Sequence, residues 1–176
     1  MMKDKIKLIA LDVDGVLTDG KLLIGSDGEE LKSFHVKDGM GISLARFSGI
    51  KIAIITGRKS EAVRIRAREL NIDFLYEGIT NKVKVLSELM ASLNIEMKDV
   101  FYMGDDINDL PIIKSVGLSA APIDATDIVK KSVTFVSQFH GGNGAVREAI
   151  EYILSQQINY EEFVSKYLKE LAGAAQ

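Results

Sequence analysis

Two aspartates, Asp12 and Asp14, stand two residues apart where the apolar run from Ile6 to Leu11 gives way to polar sequence. In an extended chain, residues two apart point to the same face. Asp105 and Asp106 follow a second apolar run, Val100 to Met103, in the same manner. Gathered in one place, four carboxylates repel one another and raise one another's pKa unless a cation balances them. Mg²⁺ suits such a set, because it takes hard oxygen ligands and keeps positions open for phosphate. Zinc does not, since the chain has no cysteine and only two histidines. A carboxylate can also attack phosphorus and carry the phosphoryl group. A second carboxyl beside it can protonate the leaving oxygen and then deprotonate a water. Asp12 fits the first role and Asp14 the second. The rest of phosphoryl transfer is positioning and charge neutralisation. Thr56 and nearby backbone N–H groups can hold a phosphate oxygen, and Lys82 can supply positive charge.

These residues need a scaffold that brings them together. The chain alternates short apolar runs with longer amphipathic stretches, the sign of βαβ units and a mostly parallel sheet. In a parallel sheet the C-terminal strand ends share one edge, and ligands bind along it. Asp12-Val13-Asp14, Thr56-Gly57-Arg58 and Gly104-Asp105-Asp106 each close an apolar run, so all three are expected in one crevice. Lys21–Ile24 and Glu29–Val36 flank the turn Gly25-Ser26-Asp27-Gly28 and predict a β-hairpin over about 21–36. Leu22, Ile24 and Phe34 on it form either an intersubunit surface or a cover for their own domain. Asp38 is expected to cap a helix to about Ser48. A charged helix over 60–70 would turn Ala62, Val63, Ile65 and Leu70 inward. Thr80 is expected to cap a helix carrying Val83, Leu86, Leu89, Met90 and Leu93. A last helix spans about Ala145 to Leu154, before a polar tail over about 156–176 that can itself be helical, with Tyr160, Phe163, Tyr167 and Leu168. His35 and His140 read as packed or hydrogen-bonded residues. Gly141, Gly142, Gly144 and Arg147 either approach a ligand or form a plain turn before that helix.

A length of 176 residues favours a single domain, 1–176, able to bury roughly 70% of the surface of its unfolded chain. A formal net charge of −3 argues against a nucleic-acid partner. No stretch approaches the ~20 apolar residues of a membrane helix. Asp12 and Asp14 interrupt the N-terminal apolar run too early for a signal peptide. The expected location is the cytoplasm.

With these residues in order, the chain resembles the haloacid dehalogenase superfamily. The matching motifs are Asp12-Val13-Asp14-Gly15-Val16-Leu17-Thr18, Thr56, Lys82, and Gly104-Asp105-Asp106-Ile107-Asn108-Asp109. The resemblance implies an α/β fold, a Rossmann-like doubly wound sheet with a hairpin insertion after the first strand. The short gaps from Asp14 to Thr56 and from Lys82 to Asp105 leave no room for a cap domain. It also implies roles: Asp12 as nucleophile, Asp14 as acid and base, Thr56 on phosphate, Lys82 (with Lys84 as rival) steadying both. Asp12, Asp14 through its backbone carbonyl, and Asp105 would hold Mg²⁺, with Asp106 or Asp109 orienting the metal's waters. Asp12 to Gly20, Phe34 to Gly39, Ile54 to Arg58 and Gly141 to Glu148 resemble, more narrowly, the phosphatases of 3-deoxy-D-manno-octulosonate 8-phosphate. That implies hydrolysis of a sugar acid phosphate on the route to lipopolysaccharide, by a homotetramer whose neighbouring subunits complete each site. Gly57, Arg58 and Arg147 would contact substrate, Arg58 by pairing its guanidinium fork with a carboxylate. The alternatives are a phosphatase for a nine-carbon sialic-type sugar acid and a non-catalytic subunit of the same fold.

Overall fold

The computed structural model describes residues 5–173. Six strands form one parallel sheet: β1 (Leu8–Leu11), β4 (Lys51–Thr56), β5 (Phe74–Glu77), β6 (Val100–Met103), β7 (Leu118–Ala121) and β8 (Phe135–Val136). Their order is β5-β4-β1-β6-β7-β8. The chain starts at the middle, winds outward through β4 and β5, then crosses back to β6 on the far side of β1. The direction of winding reverses around β1, where open α/β sheets bind ligands.

Alternate residues of each strand feed two cores. Ile9, Leu11, Ile52, Ile54, Phe101 and Met103 meet α1 (Val36–Phe47), α2 (Glu61–Glu69) and α6 (Ala145–Gln157) on one face. Leu8, Ala10, Ala53, Ile55, Val100 and Tyr102 meet α3 (Lys82–Leu93), α4 (Leu110–Ile113) and α5 (Asp127–Lys130) on the other. Burial on both faces is why these strands read as continuous apolar runs.

Between β1 and α1 the chain makes a separate antiparallel pair, β2 (Leu23–Ile24) with β3 (Glu30–Leu31). The pair is shorter than the sequence suggests. Residues 32–35 leave the ladder, and Val36 already belongs to α1. Asp38 does not cap α1, whose N-cap is His35. It is buried, and its carboxylate instead accepts the backbone N–H groups of Gly144, at 3.2 Å, and Arg147, at 2.8 Å. It therefore caps α6, the helix packed beside α1.

Two other local expectations change, and the tail takes the helical form. Asn81, not Thr80, caps α3, its side chain accepting from the Lys84 N–H. Ile65 is 47% exposed, and Val63 with Ala67 forms the inner stripe of α2. The polar tail holds a full helix, α7 (Tyr160–Gly173), anchored by Phe163 and Tyr167 against Phe47. Residues 174–176 of that tail lie outside the described range.

Candidate active site

The three polar strand ends meet at one edge of the sheet. Asp12 leaves β1 with its N–H held by the Met103 carbonyl at 3.0 Å, so β6 fixes the backbone there. Its Oδ1 accepts from the Val13 N–H at 2.7 Å, and its Oδ2 accepts from Lys82 Nζ at 2.7 Å. Lys82 is the first residue of α3 and points back under the sheet edge. Its ammonium also donates to Asp109 Oδ1, at 2.6 Å, and to the Tyr102 hydroxyl, at 3.2 Å. Lys84 faces solvent and lies 3.9 Å from Glu88.

Asp109 is fully buried, and each of its oxygens has two donors. Oδ1 receives Lys82 and the Tyr102 hydroxyl, the latter at 2.6 Å. Oδ2 receives the N–H groups of Asp105, at 3.0 Å, and Asp106, at 3.4 Å. Asp109 thus ties the turn after β6 to Lys82. The turn is tight because Gly104 has no side chain: a Cβ there would meet Asp109 Cγ at 2.4 Å.

Asp12, Asp105 and Asp109 present carboxylate oxygens within 4.8 Å of one another. Asp109 is spent on its four donors, which leaves Asp12 and Asp105 as the side chains with capacity for a cation. Burial raises the Asp105 pKa to about 7, reinforced by Asp12 and Asp109. Burial likewise raises Asp12 to about 6, with Lys82 pulling the other way. Burial works against the charge of Lys82, yet Asp12 and Asp109 outweigh it and hold its pKa above the ordinary lysine value. A divalent cation would balance carboxylates buried together in this way. Asp105 can come this close because Gly15, at φ +80°, has no Cβ; one would lie 2.1 Å from Asp105 Oδ2.

Asp106 stands outside this cluster. Its Oδ1 accepts the Ile107 N–H at 2.7 Å and caps the following 3₁₀ turn. The Asp14 carboxylate is also apart from it, with Oδ1 paired to Lys32 of the hairpin. Thr56 ends β4, buried, and its Oγ1 accepts the Arg58 N–H at 3.4 Å. Asp12, Asp14, Thr56, Gly57, Arg58 and Asp105 all line one crevice of about 290 Å³, with Asp106 and Asn108 at its rim.

Arg147 is not brought to that crevice. It sits on α6, where its Nε bonds Glu151 one turn on at 2.7 Å, and it lines a different cavity with His35 and Lys37. The glycine turn before α6 faces backbone: a Cβ on Gly141 would meet the Gly15 carbonyl oxygen at 1.9 Å, and the Gly142 N–H donates to the Val16 carbonyl at 2.9 Å. These glycines brace the loop that carries Asp14. His140 lies 3.3 Å from Asp124.

Sequence reasoning missed Glu30 and Lys32. Glu30 accepts from Arg58 at 2.5 Å, so this arginine is already paired. The alternation Glu30, Leu31, Lys32 is a period-2 signal with the charges on one face, but which face the hairpin turns inward is set by tertiary packing.

Acidic residues after the two central strands of an α/β sheet, with a buried lysine between them, suit a phosphoryl-transfer hydrolase. Residues 71–150 match the haloacid dehalogenase-like hydrolase family. The chain is 45% identical over 159 residues to the 3-deoxy-D-manno-octulosonate 8-phosphate phosphatase of Escherichia coli K12, covering 90% of this chain and 85% of that one. The crystal structure of the Moraxella catarrhalis 3-deoxy-D-manno-octulosonate 8-phosphate phosphatase, in complex with magnesium, phosphate and KDO, superposes with a TM-score of 0.89 at 40% identity, covering 92% of this chain and 93% of that one. The cobalt-bound Haemophilus influenzae enzyme gives 0.84 at 40% identity over 87% and 90% of the two chains. The chain belongs to the haloacid dehalogenase-like hydrolases and, within them, to the family of these sugar acid phosphatases.

Proposed function

We propose that the protein hydrolyses 3-deoxy-D-manno-octulosonate 8-phosphate to the free sugar acid and phosphate. A carboxylate oxygen of Asp12 attacks phosphorus, and the bond from phosphorus to the sugar oxygen breaks. Asp14 gives that oxygen a proton. Asp14 then takes a proton from a water that attacks the aspartyl-phosphate, which frees phosphate and restores the Asp12 carboxylate. Lys82 holds Asp12 in place and offsets its charge, Asp109 fixes Lys82, and Thr56 receives a phosphate oxygen. The carboxylates of Asp12 and Asp105 and the Asp14 carbonyl offer the hard oxygen donors that Mg²⁺ takes, and the ion when bound supplies positive charge against the phosphate oxygens. Arg58 stands at the mouth, where a substrate carboxylate can compete with Glu30 for its guanidinium.

The observation that carries this reading is the buried Asp12 carboxylate, 2.7 Å from Lys82 and beside Asp105 at the edge of the sheet. Phe34 packs on its own domain's core, whereas Leu22, Leu23, Ile24 and Leu31 of the hairpin stay exposed, which supports a homotetramer in which a neighbour closes the open crevice. Among the described residues no helix is long and apolar enough to cross a membrane, which fits work in the cytoplasm on a small substrate. The test is phosphate release, with Mg²⁺, from a panel of phosphorylated 2-keto sugar acids. The eight-carbon acid should be turned over ahead of nine-carbon acids, and Asp12→Asn should abolish release. Release that survives Asp12→Asn, or preference for a nine-carbon acid, overturns the mechanism or the substrate respectively.

A further inference from the structure

Asp14 is asked to deliver a proton to one oxygen and collect one from another, so its carboxyl must be aimed. Two cations approach it. Lys32 Nζ pairs with Oδ1. Arg58 Nε lies 3.9 Å from Oδ2, beyond hydrogen-bond reach. One oxygen is tethered and the other is left facing the crevice. The tether comes from the inserted hairpin: Lys32 follows β3, and Glu30, its neighbour on the same face, lies 3.3 Å from its ammonium.

The burial of Lys32 decides how it acts. Its side chain is 1% exposed, whereas that of Asp14 is 23% exposed. Asp14 lines the crevice and Lys32 does not, so the ammonium sits behind the carboxylate rather than in the place of a phosphate. Enclosing an ammonium in this way is costly unless carboxylates surround it with good geometry. Leu22, Leu23, Ile24 and Leu31 around it are exposed, so the enclosure of Lys32 goes with its ion pairs to Asp14 and Glu30.

We propose that Lys32 is a positioning residue: its ion pair with Oδ1 fixes the orientation of the Asp14 carboxyl in the crevice. This rests on the reading of Asp14 as acid and base. It gives the hairpin a role within its own subunit, separate from any contact between subunits.

The test compares two substrates that differ in their need for a proton. A sugar phosphate leaves as an alkoxide and needs the acid; p-nitrophenyl phosphate leaves as a stabilised phenolate and does not. The ratio kcat/KM reports steps up to departure of that group. With Lys32→Met, kcat/KM for the sugar acid phosphate should fall about 100-fold, the low end of what general acid catalysis contributes, chiefly through kcat. For p-nitrophenyl phosphate it should change far less. In an Asp14→Asn background, Lys32→Met should bring no further loss. Equal falls on both substrates, or additive losses in the double variant, overturn the proposal. Should Lys32→Met not fold, Lys32→Ala, which also removes the donor to Oδ1, is judged by the same ratio. A native enzyme inactive on both substrates would instead sink the phosphatase reading itself.

Discussion

At the residue scale the site is a balance of buried charge. Asp109 shows it best, since its carboxylate is the common acceptor for Lys82, Tyr102 and two backbone N–H groups. Removing one partner of a buried ion pair typically costs about 3–5 kcal/mol, because the other charge is stranded. Asp109→Ala should lose stability of that order in denaturant melts and should lose activity with it; a drop of less than about 1 kcal/mol would show that Lys82 is not committed to this carboxylate. Asp12 and Asp105 make the opposite contribution. Their folded pKa values, about 6 and about 7, lie above the ordinary 3.8. Between these limits the metal-free folded state binds more protons than the unfolded state, so on account of these two groups its stability rises as pH falls. Asp73, Asp99 and Glu30 have lowered values, and their stabilisation is lost only below the ordinary carboxylate range. A divalent cation displaces the protons. The rise in Tm on adding Mg²⁺ to chelated protein should therefore be larger near about pH 8 than near about pH 5.5. An increment independent of pH would mean that these carboxylates are not where the ion binds.

At the element scale, the loops at the sheet edge depend on what is absent. Gly15→Ala would place a methyl where the Asp105 carboxylate lies, on a backbone at φ +80°. The variant should keep its sheet, by circular dichroism, and lose Mg²⁺-dependent phosphate release; retained activity would show that Asp105 need not approach β1. Asp38 acts at longer range. Its cap joins residues 106 apart, so Asp38→Ala should lower stability by about 1–2 kcal/mol through α6 rather than α1. Increased amide exchange confined to the first turn of α1 would contradict this. These two residues also mark what the sequence does and does not disclose. The strands were legible because burial on both faces leaves unbroken apolar runs, and the acidic groups were legible because they follow those runs directly. Asp38 opens the helical pattern in the sequence and looks like its cap, although in the structure it lies in the first turn of α1. Only the packing of α1 on α6 reveals that it serves the other. Lys32, which the sequence did not single out, reaches the crevice's Asp14, while Arg147 lines another cavity of the chain, because which face a charged side chain takes is settled by elements distant in sequence. Thr80 and Asn81 differ by one position, within the usual slack of a helix boundary.

At the scale of the whole molecule, the hairpin is the part that its own domain does not account for. A two-stranded antiparallel pair is marginal in water unless something covers it. Leu23 and Ile24 are neighbours in β2 and so point to opposite faces, yet they are 54% and 66% exposed. Leu22 on the approach and Leu31 across the pair are exposed as well. Apolar groups clustered in this way mark a contact surface. The same hairpin plants Glu30 and Lys32 at the crevice, so whatever covers its outer faces also holds the mouth of the site. A second copy of the chain would meet both needs: it would bury the apolar residues and narrow the opening of the crevice. Ile24→Asp sets a charge in that contact without touching the crevice. Light scattering should find the native protein as a tetramer and the variant as a smaller species. Turnover of the sugar acid phosphate should fall with the loss of mass, and p-nitrophenyl phosphate, which asks little of an enclosing neighbour, should be affected less. If the native protein is a fully active monomer, the exposed hairpin must find its partner elsewhere, and the crevice must hold its substrate without help.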